Sequence, residues 1–283
     1  MSYKVITHNG KAHMDELLAI ALLAQYKGSL PSEIIRIHQD ESAEILQKEE
    51  QDENCYFIDC GLQLDPEKLL FDHHQSKDLG CAALLVFEHF YPELLGSNLH
   101  EYIKLVSLVD TLGPSTLDDF KYKSETIYYF SFCQKLLLKQ FEQNPILIVS
   151  IFVDGLKSMI EFEKEKEIAF KWIATGGNIK IEKLKNLNVL IYNKPPPKEI
   201  SSAIKAVDGD IVDENEIDVV YSYDKDDERI RTLFRTIKGH KNLDLTFAKV
   251  NDTQFCHNSG FLLKFRPENS TEWENILKES ILG

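Results

Sequence analysis

The sequence lacks any apolar run near the roughly 18 residues that a membrane-spanning helix needs. Its opening, Met1-Ser2-Tyr3-Lys4-Val5, leads straight into a strand-like run with no apolar signal core, so the expected location is cytoplasmic. Cysteine is sparse. The five (Cys55, Cys60, Cys81, Cys133 and Cys256) are an odd number with no CxxC pair, which argues against a disulfide framework and reads as reduced, mostly buried thiols. Positive charge is also short: 32 Lys and Arg face 46 Asp and Glu, a net charge of -14. That excludes a surface coated with basic residues for nucleic acid. Any polyanion site must be local, or must draw its positive charge from bound metal. Internal repeats and low-complexity tracts are absent. What remains is a 283-residue chain, 43% hydrophobic, long enough for one large or two medium domains.

The most informative stretch is Leu69-Leu70-Phe71-Asp72-His73-His74-Gln75. It reads as a buried strand ending in an acid and two imidazoles. Such groups are costly inside a protein unless paired or bound to metal. Other strands end in the same way. Lys4 to Thr7 is a predicted strand that runs into His8, followed by a polar loop carrying His13 and Asp15, then a helix with Leu17, Leu18, Ala21, Leu22 and Ala24 at helical spacing. Tyr56 to Ile58 is a strand ending in Asp59-Cys60-Gly61. Cys60, beside that acid, is read as a packing residue rather than a nucleophile. Residues 34–38 form another strand, and its terminal His38 is read as a structural histidine. A surface helix is expected over 41–50, and a turn at Asp65-Pro66.

Helical spacing returns over 81–90, and again from Leu99 to Val109, where Asp110-Thr111-Leu112-Gly113-Pro114 stops the helix. An acid at a helix carboxyl end opposes the helix dipole, so Asp110 calls for a positive partner. Residues 117–145 give no clear pattern. A long helix is predicted over 146–173, ending at Thr175-Gly176-Gly177-Asn178. The domain boundary is placed there, giving domains 1–175 and 176–283. The second domain carries short strands at 179–181, 189–192, 219–221, 231–237 and 261–265, an acidic turn at 208–216, and a closing helix over 273–281.

Strands alternating with helices predict an α/β fold, a mostly parallel sheet with helices on both faces, followed by a smaller α+β domain. Ligands of such sheets bind beyond the strands' carboxyl ends. His8, Asp59, Asp72, His73 and His74 fall there, and His13, Asp15 and Asp110 can reach the same edge. Mixed imidazole and carboxylate ligands suit manganese better than calcium. A shared carboxylate would hold two ions in the arrangement used for attack on phosphorus.

These motifs resemble the MYG (melanocyte proliferating gene) family of the DHH phosphoesterase superfamily. Thr7-His8-Asn9-Gly10-Lys11-Ala12-His13-Met14-Asp15-Glu16 is similar to the family's opening motif. Asp59-Cys60-Gly61, Phe71-Asp72-His73-His74-Gln75 and Val109-Asp110 resemble its later motifs, in order. Phe255-Cys256-His257-Asn258-Ser259-Gly260-Phe261 resembles a substrate-site motif, although Leu262-Leu263-Lys264 stands where the family carries a glycine-rich turn. The resemblance implies two Mn2+ ions and phosphodiester or phosphoanhydride hydrolysis, with 3′–5′ exonuclease activity on RNA. It implies one ion held by His8, His13 and Asp59, and a second by Asp15, Asp59, His73 and Asp110, with Asp59 bridging. It places His74 on the scissile phosphate, Asp72 behind an imidazole, and His257 and Ser259 near the substrate.

Three function classes follow: an RNA or oligonucleotide phosphoesterase, a phosphohydrolase of a small compound such as pyrophosphate or a phosphorylated nucleotide, and a metal-containing binding protein without turnover. Between Arg229 and Arg266, eight basic residues stand against two acids. Arg235, in a strand pattern, is the expected phosphate-gripping residue of that stretch.

Overall fold

The computed structural model describes residues 2–49, 52–76, 78–113, 116, 124–200, 216–248 and 250–282. The expected acidic turn over 208–216 lies outside them apart from Glu216, as does Lys249 of the basic stretch. The chain divides into two units, Met1–Glu163 and Lys164–Gly283. The division falls inside a helix rather than at the Gly176-Gly177 turn. Among the described residues no helix is long and apolar enough to cross a membrane.

The first unit is built on a five-stranded sheet in the order β2-β1-β3-β5-β4. Its strands are β1 (Lys4–His8), β2 (Glu33–Ile37), β3 (Cys55–Ile58), β4 (Leu64–Asp65) and β5 (Leu70–Phe71). β2, β1, β3 and β5 run parallel, and β4 pairs antiparallel with β5. Helix α1 (Met14–Lys27) packs on one face with α3 (Ala82–Phe90) and α4 (Asn98–Leu112). Ile45 and Leu46 of α2 (Ser42–Glu49) pack on the other. Leucine, alanine and isoleucine give α1 high helix propensity. Glu16 Oε1 accepts from the His13 backbone N–H at 3.0 Å, and Gly28 closes the helix at φ 67°. Every residue from Leu17 to Ala24 is at most 1% exposed, so α1 is buried all round rather than along one stripe.

Two helices follow, α5 (Ser124–Gln143) and α6 (Pro145–Ala174). The residues before Pro145, which showed no sequence pattern, are largely helical from Ser124 on. Phe141 of α5 is fully buried in the first unit's core.

The second unit holds a six-stranded sheet in the order β10-β11-β9-β8-β7-β6. Its strands are β6 (Ile179–Leu184), β7 (Leu187–Tyr192), β8 (Val219–Tyr223), β9 (Arg231–Arg235), β10 (Thr253–Cys256) and β11 (Leu262–Phe265). Only β7 and β8 pair in parallel. One face buries Val189, Val219, Leu233, Leu263 and Phe265, with Trp273 and Leu277 of the last helix, α7 (Glu272–Ser280). The other face is covered at its β7 end, where Leu190, Tyr192 and Val220 pack with Ala169, Phe170 and Ile173 of α6.

Candidate metal centre

Parallel register brings the ends of β1, β3 and β5 to one edge. The Asp59 backbone N–H donates to the Phe71 carbonyl at 3.0 Å, which fixes the end of β3 beside the end of β5. Asp59 itself sits at φ 56°, in the left-handed region that non-glycine residues rarely adopt. Asp is among the residues that tolerate it, and such strain collects at functional sites. The turn aims a buried carboxylate at three imidazoles. Asp59 Oδ2 lies 3.1 Å from His8 Nε2, and Oδ1 lies 3.3 Å from His73 Nε2 and 3.6 Å from His74 Nδ1. Burial opposes its ionisation, but the bonds from His73 and His8 prevail and hold the carboxyl down to about 2.

His8 makes a 2.8 Å bond from Nδ1 to the Asn9 carbonyl, so Nδ1 carries a proton and Nε2 faces Asp59. Burial works against a charged imidazole here, yet Asp59 and Glu16 raise it to about 9. A proton therefore occupies, in the metal-free protein, the position that a cation would take.

Asp15, in the first turn of α1, is 1% exposed, and neither carboxylate oxygen has a hydrogen-bond partner. Burial, then Asp59, Asp110 and Glu16, push its carboxyl well above the usual range. Asp110 lies near the end of α4, 3.4 Å from His73 Nε2 and 3.9 Å from His13 Nδ1. Those imidazoles are the polar side chains nearest an acid whose place on the helix dipole is unfavourable.

Three sets of ligand atoms lie within 4.8 Å of one another: His8, His13 and Asp59; Asp59, His73 and His74; and His13, Asp15 and Asp110. The first is the trio expected for one ion. The second expected set is divided, since His74 joins Asp59 and His73, while Asp15 and Asp110 gather with His13. The residues fit divalent metal. Both carboxylate oxygens of Asp15 lack a hydrogen-bond partner and are costly to bury without a cation.

Asp72 is fully buried and serves the edge from behind. Its carboxylate accepts from the backbone N–H groups of Leu62, His73 and His74, and meets His74 Nδ1 at 2.7 Å. Burial is outweighed by these bonds, and the carboxyl lies below its usual range. Cys60 donates to the Ile6 carbonyl, and burial raises its thiol far above normal, which fits a packing residue. His38 is exposed on the surface, its backbone N–H bonded to Glu41, and is not a packed histidine.

Glu16 and Arg36 were not expected. Glu16 is fully buried. Its carboxylate accepts from Thr7 Oγ1 at 2.9 Å and Arg36 Nη2 at 3.1 Å, and lies 3.5 Å from His8 Nε2. Arg36 also donates to the His8 carbonyl, and its guanidinium covers the Phe141 ring at 5.3 Å. The sequence signals were an arginine inside Ile34-Ile35-Arg36-Ile37 and a Glu three residues beyond a helix cap.

The family model that matches residues 4–112 is MYG1_exonuc, described as an uncharacterised protein family (UPF0160). Residues 4–112 are thus similar to the MYG family. The MYG segment contains every expected metal ligand and none of the second unit. No curated protein matches the chain. Among solved structures, RecJ from Thermus thermophilus in complex with Mn2+ is similar at 11% identity and a TM-score of 0.26, covering 94% of this chain and 49% of that one. The chain thus spans about half the length of that protein.

In the second unit, Arg235 is corrected from phosphate ligand to internal brace. It is 7% exposed and donates to the carbonyls of Leu243 and Ser259. Both are backbone acceptors that buried donors rarely give up. Ser259 and His257 lie in one turn. The Ser259 N–H donates to His257 Nδ1 at 3.1 Å, and Gly260 N–H to the His257 carbonyl at 2.8 Å. Five further basic residues of this stretch are also engaged locally. Arg229 pairs with Asp227, Lys238 with Glu216, Lys264 with Asp224 and Arg266 with Asp252, while Arg231 lies 3.6 Å over the Tyr223 ring.

Proposed function

We propose that this protein is a divalent-metal-dependent phosphoesterase that hydrolyses phosphodiester bonds, as a 3′–5′ exonuclease on RNA or short oligonucleotides. The observation that carries the reading is Asp15, buried with both oxygens unpartnered beside Asp59 and Asp110. His8, His13 and Asp59 would hold one ion, and Asp15, His73 and Asp110 the second, with Asp59 shared. Mn2+ is the proposed metal, because three imidazoles join the carboxylates. Bound divalent ions supply a water acidic enough to attack phosphorus near neutral pH, and they neutralise charge on the phosphoryl oxygens.

The chain's own part is positioning and charge. With Nδ1 engaged by Asp72, His74 keeps Nε2 to donate to a phosphate oxygen of the scissile group. His74 is 43% exposed in its side chain and accessible to substrate. Asp72 is a positioning residue acting through His74. Glu16 and Arg36 hold the His8 end of β1 rigid.

The test is hydrolysis of an RNA pentamer with Mn2+, alongside metal content by elemental analysis. Asp59→Asn keeps the left-handed turn, since Asn tolerates that backbone as well as Asp. It is expected to lose metal and more than the roughly 100-fold in rate that removing an outer partner such as Asp72 costs. Full activity of Asp59→Asn at the same Mn2+ concentration would sink the reading. The local pairing of the basic stretch favours a second reading, a phosphohydrolase of a small phosphorylated compound. Faster turnover of pyrophosphate than of the pentamer would select it.

A further inference from the structure

The open side of the second unit's sheet carries phenylalanine where solvated sheet faces carry polar residues. Register fixes which side chains share it. Phe255 pairs with Lys264 and Lys264 with Thr232, while Leu262 pairs with Phe234 and Phe234 with Val220. Paired and alternate residues lie on one face. Phe234 and Phe255 are 45% and 46% exposed, whereas Leu233 and Leu263, on the opposite face, are at most 2% exposed. A continuous row of rings runs across this edge. Phe234 meets Phe261 at 6.0 Å, Phe261 meets His257 at 4.1 Å, and His257 meets Phe255 at 6.4 Å. A cleft of about 1220 Å³ adjoins the row, with Phe234, Phe261 and Tyr192 in its wall.

The polar atoms of this edge are arranged for hydrogen bonding rather than for charge. His257 Nδ1 accepts from the Ser259 N–H, so a neutral ring keeps its proton on Nε2 as a donor. Lys264, a cation on the same face, pairs with Asp224 at 2.5 Å. Flat rings beside a fixed imidazole donor match unpaired nucleobases, which stack on aromatic side chains whatever their identity.

We infer that Phe234, Phe261, His257 and Phe255 form a stacking platform for the bases of single-stranded nucleic acid, with affinity carried by the rings rather than by phosphate contacts. The inference deepens the proposed phosphodiesterase reading and rests on it for the choice of substrate.

The experiment is equilibrium binding of a fluorescein-labelled RNA pentamer to the full chain in chelator. The same pentamer with abasic sites is run in parallel, at 50 and 200 mM salt. One stacked base is worth about 1–3 kcal/mol, roughly a 5- to 150-fold change in affinity. Wild type is expected to bind the intact pentamer at least fivefold more tightly than the abasic one, with little change between the two salts. Phe234→Ala is expected to remove most of that preference, and Phe234→Tyr, which keeps the ring, to restore it. Equal affinity for intact and abasic pentamers, or no binding of either, would overturn the platform. An unchanged preference in both Phe234→Ala and Phe255→Ala would do the same. If either variant changes the sedimentation mass without changing RNA affinity, the rings belong to an interface between protein chains, and the platform is again overturned. Hydrolysis of bis(p-nitrophenyl) phosphate with Mn2+ by the wild type separates the two readings. Turnover with base-independent binding sinks the platform alone. Base-dependent binding without turnover of either substrate sinks the phosphodiesterase reading alone.

Discussion

At the scale of single residues, the first unit places function and stability in opposition at Asp15. Its carboxylate is buried, lacks hydrogen bonds, and faces Asp59 and Asp110. Without a cation, burying an acid that the unfolded chain would ionise is a cost that the rest of the fold must offset. Asp15→Asn removes the ionisable group and keeps the shape. The metal-free variant is expected to melt about 2–4 °C above wild type, the shift that roughly 1 kcal/mol gives in a domain of this size. Added Mn2+ is expected to raise the wild-type midpoint by mass action and to raise that of the variant less, since His8, His13 and Asp59 still hold one ion. Differential scanning fluorimetry with and without Mn2+ reads both, and a metal-free variant less stable than wild type would contradict the argument. The candidate ligands were legible in the sequence because each acid or imidazole stands at a strand end or helix end, and periodicity locates such ends. Glu16 and Arg36 were not legible. Their importance comes from a web joining β1, β2, α1 and α5, which no local pattern displays. Arg235 was misread for a related reason. Strand periodicity gives its position but not that Leu243 and Ser259 present carbonyls to it.

Among the elements, the long periodic ones matched their sequence signals, and the shortest and most aromatic did not. Residues 69–71 read as a strand, but Leu69 adopts φ 63° at the end of a 3-10 turn, so pairing begins at Leu70. Two-residue strands such as β4 and β5 are held by neighbours rather than by their own pattern. The sequence pattern of α5 is obscured by its aromatic residues, and tertiary packing of Phe141 outweighs propensity there. Two glycine turns show how local geometry can be tested. Gly28 at the end of α1 and Gly260 in the His257 turn both have positive φ, 67° and 64°. A Cβ on Gly28 would meet nothing within 4 Å, whereas on Gly260 it would stand 1.9 Å from Asp244 Oδ1. Asp244 is itself tied to the Thr246 N–H and hydroxyl. Gly28→Ala is expected to cost only the backbone penalty, about 1–2 kcal/mol. Gly260→Ala adds overpacking of roughly 1–3 kcal/mol. In a double-mutant cycle with Asp244→Ala, the Gly260→Ala penalty should shrink, because the clashing carboxylate is gone. Additive losses in urea unfolding would mean that Asp244 is not what confines the turn.

For the molecule as a whole, the buried ionisable groups that must stay neutral fall mostly on one side of the division at Glu163 and Lys164. Burial pushes the thiols of Cys55 and Cys81 up to about 12 and that of Cys60 well above its usual value. Tyr3 and Tyr91 are also raised, chiefly by burial. All five groups belong to the first unit, while the second contributes Tyr192 and Tyr221, raised mainly by burial, and the half-buried Cys256. A folded pKa raised above the unfolded one contributes stability in full below the unfolded value. That stability is lost as pH rises through the folded value, because the unfolded chain gives up its proton first. For the thiols the window runs from about 9 to about 12. Each fully buried thiol then costs about 1.4 kcal/mol per pH unit inside it. The two tryptophans, Trp172 and Trp273, both lie in the second unit, so fluorescence follows that unit, while far-UV ellipticity is weighted toward α1, α3, α4 and α5 of the first. Raising the metal-free protein from pH 8 to pH 10 is therefore expected to lower the urea midpoint seen by ellipticity more than the one seen by fluorescence. Cys81→Ala, which removes a buried thiol, should lessen the alkaline shift even though it lowers stability at pH 8. Equal shifts by both probes, or an alkaline shift unchanged in Cys81→Ala, would show that the buried thiols do not set the alkaline limit of the fold.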